Sequence, residues 1–584
     1  MYRCPAGCFL FYGNSQLLWG VRIVHGTHHL PEEIHRGHLH GRFREWLWEK
    51  KSMDVFDLNL LLIVFLSLII TSAHFIPGNS GSILLAALSR SSHLPVFMLM
   101  VTFMAMPVSV YIGFRSEDYR DTFLVNVLFI ILLMLMALLD QISAGPMEFH
   151  LPNFLYFGLN LRMDRFTLLL VMGATLLWMA AMVFGHRYMQ AEEERRSRFY
   201  GSMMITYGCV LGGMMAYDLF TMFFFFEIMY LSCYFMVSHS QTPESMQAGN
   251  RYIYMGVVGG LSMFLGICLI YYTTGTLLIS GIRGGLETAW VDHGLLLTGA
   301  IISFLIGFVI KAAIFPLHFW LPNAHASAPS PASAVLSGMV IKVYIFSLMK
   351  FLYIAVGRDL FSAMGLVSFF APVAVVGMIM GSVFAIGQTE LKKMLAYSTV
   401  AQVGYMLLGI GLMTPLGLSA SLFHVITHAL MKSALFLSAG AILYQTGIKR
   451  IKDMNGLGYR MPVTMGVFTV GALAMIGIPG FNGFMSKWYL GTAALEAGRP
   501  VFVLMLLVSS FLNAMYYLPI IIAAFLKKED PEMVEETGMT LDRIPMSMMI
   551  PLLCLGFGCV LLGFFPQLVM GFIQKGIFTF FQPV

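Results

Sequence analysis

The sequence predicts an all-α polytopic membrane protein of about 15 transmembrane helices, built as two inverted five-helix repeats with discontinuous helices. Three observations predict it. Hydrophobic residues make up 58% of the 584-residue chain and charged residues only 11%, against roughly 25% charged in an average soluble protein. Apolar runs of the length needed to cross a bilayer, about 20 residues, recur along the whole chain. The period-2 alternation of barrel strands is missing. So few charges cannot clothe a water-soluble surface, which excludes a cytosolic enzyme and a disordered chain. The net charge of +5 is too small and dispersed for a nucleic-acid face. It suits loop cations that orient a membrane protein.

Taken in order, residues 1–53 form a polar, His-rich leader, expected to be disordered and lacking signal-peptide architecture. Met53 directly precedes the first apolar run and is a second candidate start. The leader holds Cys4, Cys8, His25, His28, His29, His35, His38 and His40, whose spacings do not follow zinc-site rules. Cys209, Cys233, Cys268, Cys554 and Cys559 make neither a CxxC nor an iron–sulfur pattern. The expectation is therefore no cofactor and no metal on this chain. Spans are expected near 54–76, 94–114, 122–140, 166–185, 200–217, 218–238, 251–273, 295–315, 331–354, 363–387, 396–413, 419–444, 464–490, 500–526 and 547–574. They organise as N-terminal transmembrane helices (54–150), a first repeat (151–320), a second repeat (321–490) and C-terminal helices (491–584). If the spans alternate, one set of loops collects Arg115, Arg120, Arg187, Arg195, Arg196, Arg198, Lys392, Lys393, Lys449, Arg450, Lys452, Arg460, Lys527, Lys528 and Arg543. The opposite set has Arg90, Arg162, Arg165, Arg283, Arg358, Arg499 and Lys575. The positive-inside rule makes the richer side cytoplasmic. The expected location is the cell's inner (plasma) membrane, N-terminus inside and C-terminus outside.

Several charges interrupt the apolar runs. They are Glu227 in FFFFEIMYLSCYF, Lys311 in FLIGFVIKAAIFP, Lys342 in LSGMVIKVYIF, Lys432 in THALMKSALFL and Lys487 in GFNGFMSKWYL. Unpaired and unhydrated, these would cost on the order of 12–18 kcal/mol together, at about 2.5–3.5 each. Snorkelling to an interface is the bland reading of each. A purely structural bundle has no need of such a penalty. Lys392 and Lys393, beside Glu390, read instead as solvated loop charges. His424, His428 and Lys432 recur at intervals of four and line one helix face. Two histidines and a lysine in line suit proton transfer, because histidine titrates nearest neutral pH.

Pro316 and Pro322 follow Lys311, and Pro479 precedes Lys487. Proline removes a backbone donor and breaks a helix; such breaks survive at membrane depth where they are buried or line a wet cavity. The two broken, lysine-bearing spans lie five spans apart, the spacing of inverted repeats with a transport site at the breaks. The counterpart of Glu227 falls in LAYSTVAQVGYMLLG, which offers Ser398 and Gln402 but no acid.

The stretches KAAIFPLHFWLPNAHASAPSPASAVLSGMVIK, LKKMLAYSTVAQVGYMLLGIG, HVITHALMKSALFLSAGAI and GIPGFNGFMSKW resemble the antiporter-like membrane subunits of the complex I superfamily. That superfamily includes the proton-translocating subunits of NADH:quinone oxidoreductase, the D and A subunits of multisubunit sodium/proton antiporters, and membrane subunits of hydrogenases. The resemblance covers roughly residues 150–520. It implies proton translocation through Glu227, Lys311, Lys342, His424, His428, Lys432 and Lys487. Glu227 and Lys311 match the acid–lysine pair of the family, Lys342 the bridging residue, His424, His428 and Lys432 the histidine–lysine helix, and Lys487 the terminal lysine. It also implies fourteen core helices, other membrane subunits and a redox arm as partners, and protons with or without sodium as the transported ions. The lateral helix of the largest members is not expected after the span ending near 574. The leading functional expectation is the pumping subunit of a redox-driven translocase; the alternative is a component of a monovalent cation/proton antiporter.

Overall fold

The computed structural model describes residues 93–190, 195–527 and 542–581. The leader and the expected span at 54–76 lie outside the described residues. Among those described, 12 helices are long and apolar enough to cross a membrane. In chain order the helices are α1 (Leu94–Arg115), α2 (Glu117–Ala137), α3 (Arg165–Tyr188), α4 (Arg196–Met215), α5 (Leu219–Val237) and α6 (Pro243–Thr274). There follow α7 (Ile279–Lys311), α8 (Leu321–Ser327), α9 (Ser330–Val356), α10 (Val367–Ile386), α11 (Leu391–Gly411) and α12 (Pro415–Thr446). The last are α13 (Pro462–Ile476), α14 (Asn482–Glu496), α15 (Val501–Leu526), α16 (Met546–Phe564) and α17 (Gln567–Gln574). Helices α9, α11 and α12 are almost wholly buried and form the core.

The sequence predicted helices and no strands, and this needs one correction. Between α2 and α3 lies an antiparallel hairpin, β1 (Met147–Leu151) paired with β2 (Leu159–Met163), Phe149 opposite Leu161. Five residues per strand are too few for alternation to stand out from apolar surroundings. The expected span at 464–490 is two helices, α13 and α14. The expected span at 295–315 is the far part of a longer α7 that kinks at His293 (φ −129°, ψ 28°). Helix α11 starts at Leu391, not 396, so Lys392 and Lys393 belong to its first turn and not to a loop.

Two stretches of the chain repeat in atomic detail. Helix α5 starts beside residues 277–279: Leu219 N–H donates to Leu277 O and Ile279 N–H to Tyr217 O, both at 3.0 Å. Helix α11 starts the same way beside 449–451: Leu391 N–H donates to Lys449 O at 3.0 Å and Ile451 N–H to Thr389 O at 2.9 Å. The following helices, α6 and α12, each have 32 residues. Each opens on Thr-Pro, the threonine oxygen accepting from an N–H three residues on (3.2 and 3.1 Å). Each is preceded by a non-glycine residue at positive φ, Gln241 (54°) and Met413 (52°), and each ends on a left-handed glycine, Gly275 and Gly447. One constant offset relates every pair. Helix α11 is the fifth crossing after α5, so the two run in opposite directions.

Candidate functional site

Glu227 stands mid-way along α5, and Lys311 is the last residue of α7. The fold brings them together. Lys311 Nζ lies 2.9 Å from Glu227 Oε1, with the lysine side chain 0% and the glutamate 32% exposed. The ammonium also sits over the ring of Tyr230, 4.5 Å from its centroid. Tyr230 stacks on Tyr252 of α6 at 3.9 Å. Such close approach requires glycine on α6. A Cβ at Gly256 would fall 1.8 Å from the Tyr230 ring, and one at Gly260 would fall 2.7 Å from Glu227 Oε1.

Helix α7 stops at Lys311 because Ala313 turns to positive φ (52°) and Pro316 follows. The carbonyl of Ile310, which takes the Ala313 N–H at 3.1 Å, also accepts from Trp320 Nε1 at 2.8 Å. The chain then resumes as α8 and α9. Helix α9 is irregular: π-turns over Leu336–Val340 and Phe351–Val356 flank the α-helical stretch Ile341–Lys350. Lys342, fully buried, donates from Nζ to Ser337 O in the first π-turn. Ser337 Oγ meets Thr399 Oγ1 of α11 at 2.8 Å. Thr399 occupies the position that the repeat offset assigns opposite Glu227, with Gln402 opposite Tyr230. The expected counterparts Ser398 and Gln402 therefore flank the true one, and the second half has a hydroxyl where the first has its carboxylate.

On α12, Lys432 donates to Leu395 O at 2.7 Å and to Ser398 Oγ. His424 and His428 stack at 5.9 Å between ring centroids. His424 Nδ1 pairs with Ser486 Oγ of α14 at 2.9 Å. Lys487 follows the second break. Its Nζ donates to Met475 O (2.9 Å) and Ile476 O (2.8 Å), the terminal carbonyls of α13, and to Ser510 Oγ (2.9 Å). It also lies 4.9 Å from the centroid of Tyr405, whose ring stacks on His424 at 5.5 Å. Thus two groups form: Lys342 and Lys432 meet α11 at Ser337, Thr399, Leu395 and Ser398, while His428, His424 and Lys487 gather around Tyr405 and Ser486. Glu227 and Lys311 form a separate pair; Phe226, next to Glu227, packs on Tyr344 of α9 at 4.7 Å.

Buried polar atoms without a partner among the described residues cluster on the same elements. Both ring nitrogens of His428, Nε2 of His424 and both amide atoms of Gln402 are unpaired. Each such atom costs about 1–3 kcal/mol unless solvated, and ordered water is the usual partner.

Three residues escaped the sequence reading. His325 of α8 is fully buried, stacked on Phe436 at 5.0 Å, with both ring nitrogens unpaired among the described residues; its signal was a histidine set between the prolines of LPNAHASAP. Lys392 is no solvated loop charge: it is half-buried and donates to Ala328 O between α8 and α9. Lys350 is 1% exposed; it stands near the end of an apolar run, where a cation does not interrupt the pattern.

The family described as NADH:quinone oxidoreductase/Mrp antiporter, TM matches residues 216–513. The chain is 34% identical over 504 residues to the N subunit of the NADH-quinone oxidoreductase of Desulforudis audaxviator, an alignment covering 83% of this chain and 99% of that protein. It is 30% identical to the D-type component of the Na(+)/H(+) antiporter of Alkalihalophilus pseudofirmus, over 63% of this chain and 74% of that one. Its fold superposes on a chain of the archaeal membrane-bound sulfane sulfur reductase with a TM-score of 0.77, at 24% identity, covering 84% of this chain and 98% of the other.

Proposed function

The chain belongs to the NADH:quinone oxidoreductase/Mrp antiporter transmembrane family, and from that membership we propose that it is the proton-translocating membrane subunit of a redox-driven complex. The observation that carries this reading is the Glu227–Lys311 ion pair at a helix break inside the bundle. A lysine is harder to charge when buried and easier to charge beside a carboxylate. Holding or releasing Glu227 therefore switches the proton affinity of Lys311.

In this reading Lys342, Lys432, His424, His428 and Lys487 pass the proton on, with water bridging the unpaired polar atoms of His428, His424 and Gln402. His325 belongs to the same set. The loop cations support an orientation in which the hairpin end faces outward. Arg187, Arg195, Arg198, Lys449, Arg450, Lys452 and Arg460 crowd the other end, against Arg162, Arg165, Arg283, Arg358 and Arg499 at the hairpin end. The membrane is then the cell's inner membrane, and the proton enters from the cytoplasmic side and leaves near Lys487. Moving one charge against 100 mV costs about 2.3 kcal/mol. In this reading that work is supplied by redox chemistry on partner subunits.

The test is proton uptake by vesicles carrying the intact complex. Glu227→Gln and Lys311→Ala should each lower it at least about tenfold, the effect of removing about 1.4 kcal/mol of transition-state stabilisation. Wild-type uptake by both variants overturns the reading. The 30% identity to a component of an Na(+)/H(+) antiporter favours a second reading, part of a monovalent cation/proton antiporter that runs on a gradient alone. Sodium-dependent proton flux without an electron donor selects it over the first.

A further inference from the structure

We propose that Lys350 is a positioning residue whose ammonium clamps α9 to the buried C-terminus of α4, holding Lys342 in register with the Glu227–Lys311 pair. The proposal rests on the proposed transport role of those three residues.

The last carbonyls of an α-helix have no partner within the helix. Helix α4 ends at Met215, and residues 211–219 are all buried away from bulk solvent. Ala216 N–H closes back on Gly212 O, which leaves the carbonyls of residues 213–216 to be satisfied from outside. Helix α9 does much of this from a distant part of the chain. Lys350 Nζ donates to Met214 O and, at 3.3 Å, to Ala216 O. Ser347 Oγ, one turn earlier, lies 3.5 Å from Gly213 O. The ammonium also lies 4.7 Å from the centroid of Phe346. A cation at a helix C-terminus meets the negative end of the helix dipole as well as its free carbonyls. This gives a fully buried lysine carbonyls as its hydrogen-bond acceptors, with the charges of Asp164 and Arg162 acting on it at longer range.

The clamped point is a junction. A Cβ at Gly213 would fall 2.8 Å from Val343 of α9 and 3.3 Å from Phe226 of α5, so three helices meet there at closest approach. Ala216 bridges to Leu161 of β2. Tyr217 and Leu219 pair with Ile279 and Leu277 at the start of α7. Lys350 therefore ties α9 to the turn from which the Glu227 helix departs, beside the start of the Lys311 helix. At the other end of Ile341–Lys350 stands Lys342, which donates to Ser337 O in the first π-turn. With the hairpin end pinned, rearrangement of α9 is confined to its irregular far end, near the break.

The experiment compares Lys350→Met and Lys350→Arg in the intact complex, by amide hydrogen exchange of residues 212–219 and by proton uptake into vesicles across pH. The methionine variant should exchange those amides at least tenfold faster, lower uptake at least tenfold and displace its pH profile. The arginine variant, which keeps the charge and both bonds, should restore all three. Lys350→Gln, able to reach one carbonyl, should fall between them and replaces methionine if that chain does not accumulate. Unchanged exchange in the methionine or glutamine variant overturns the clamp. An arginine variant with normal exchange but uptake as low as methionine's overturns the positioning role, because the lysine's own proton would then be the needed element. Exchange does not depend on transport. Normal uptake in Glu227→Gln together with fast exchange in Lys350→Met would therefore sink the transport reading while the clamp stands.

Discussion

Glu227 follows four phenylalanines in sequence, yet its carboxylate finds one cation, and the space it occupies exists because α6 lacks side chains there. Gly260 faces the carboxylate itself: a methyl group there would sit 2.7 Å from Oε1, nearer than an oxygen and a carbon can approach. Gly260→Ala should push Glu227 off Lys311 and reduce vesicle proton uptake by about tenfold, the effect of about 1.4 kcal/mol. Gly173→Ala on α3, where the new methyl meets nothing within 4 Å among the described residues, should leave uptake unchanged. Lysines are the other theme at this scale. Lys342, Lys350, Lys432 and Lys487 all donate to backbone carbonyls. Among the described residues, Lys311 is the one fully buried lysine that pairs with a carboxylate. Where the lysine sat alone in an apolar run, as Lys311 and Lys342 do, the sequence betrayed it, because no other arrangement tolerates the charge. Lys350 and Lys392 stand near span ends, where a cation is ordinarily wet. Only the folded chain shows that their surroundings are not.

At the scale of elements, breaks and turns matter more than helices. Helix α7 halts where Ala313 and Pro316 prevent its continuation, and α13 halts at Gly477 (φ 93°). In both places a side chain from beyond the break, Trp320 or Lys487, donates to carbonyls at the helix end. The prolines made both breaks visible in the sequence; their partners were not, since nothing local specifies which distant donor arrives. The turn between α5 and α6 offers a test of a different kind. Burial, followed by the charges of Arg198 and Arg195, lowers the imidazole of His239 from 6.5 to about 4. Arg198 also donates to its backbone carbonyl at 2.8 Å. The unfolded chain binds this proton near pH 6.5 and the folded chain only near pH 4. The stability held above about pH 6.5 is therefore lost progressively as pH falls through that window. His239→Gln should flatten this loss. The check is the thermal unfolding midpoint in detergent at about pH 7 and about pH 4.5: the wild type should fall further between the two than the variant.

At the scale of the whole molecule, the N-terminal helices are held by a second charged cluster remote from the site. Asp121 of α2 accepts from Arg120 (2.9 Å) and from Arg196 of α4 (3.0 Å), and His186 Nδ1 of α3 lies 2.9 Å from it. Arg120 lies over the Tyr200 ring at 4.6 Å. Removing one member of a buried charge cluster strands the others, at about 3–5 kcal/mol. Asp121→Ala should therefore lower the unfolding temperature and the yield of assembled protein, measured by thermal stability in detergent, with Asp121→Asn milder. The sequence had assigned Arg120 and Arg196 to loops, since arginine beside a span end is ordinarily solvated; the packing of three helices against one another buried them. Composition and apolar run length alone determined that this chain is a helical membrane bundle with charges inside it, because the cost of exposing polar backbone and charge to hydrocarbon leaves few alternatives. Proline positions and helical phase determined where the spans break and that His424, His428 and Lys432 share a face. Tertiary structure decided that Glu227 faces Lys311 across glycine, that Thr399 and not an acid stands at its counterpart, and that Lys350 holds a helix end from a distant part of the chain. Those outcomes depend on which helices meet and at what distance, and local sequence carries no term for either.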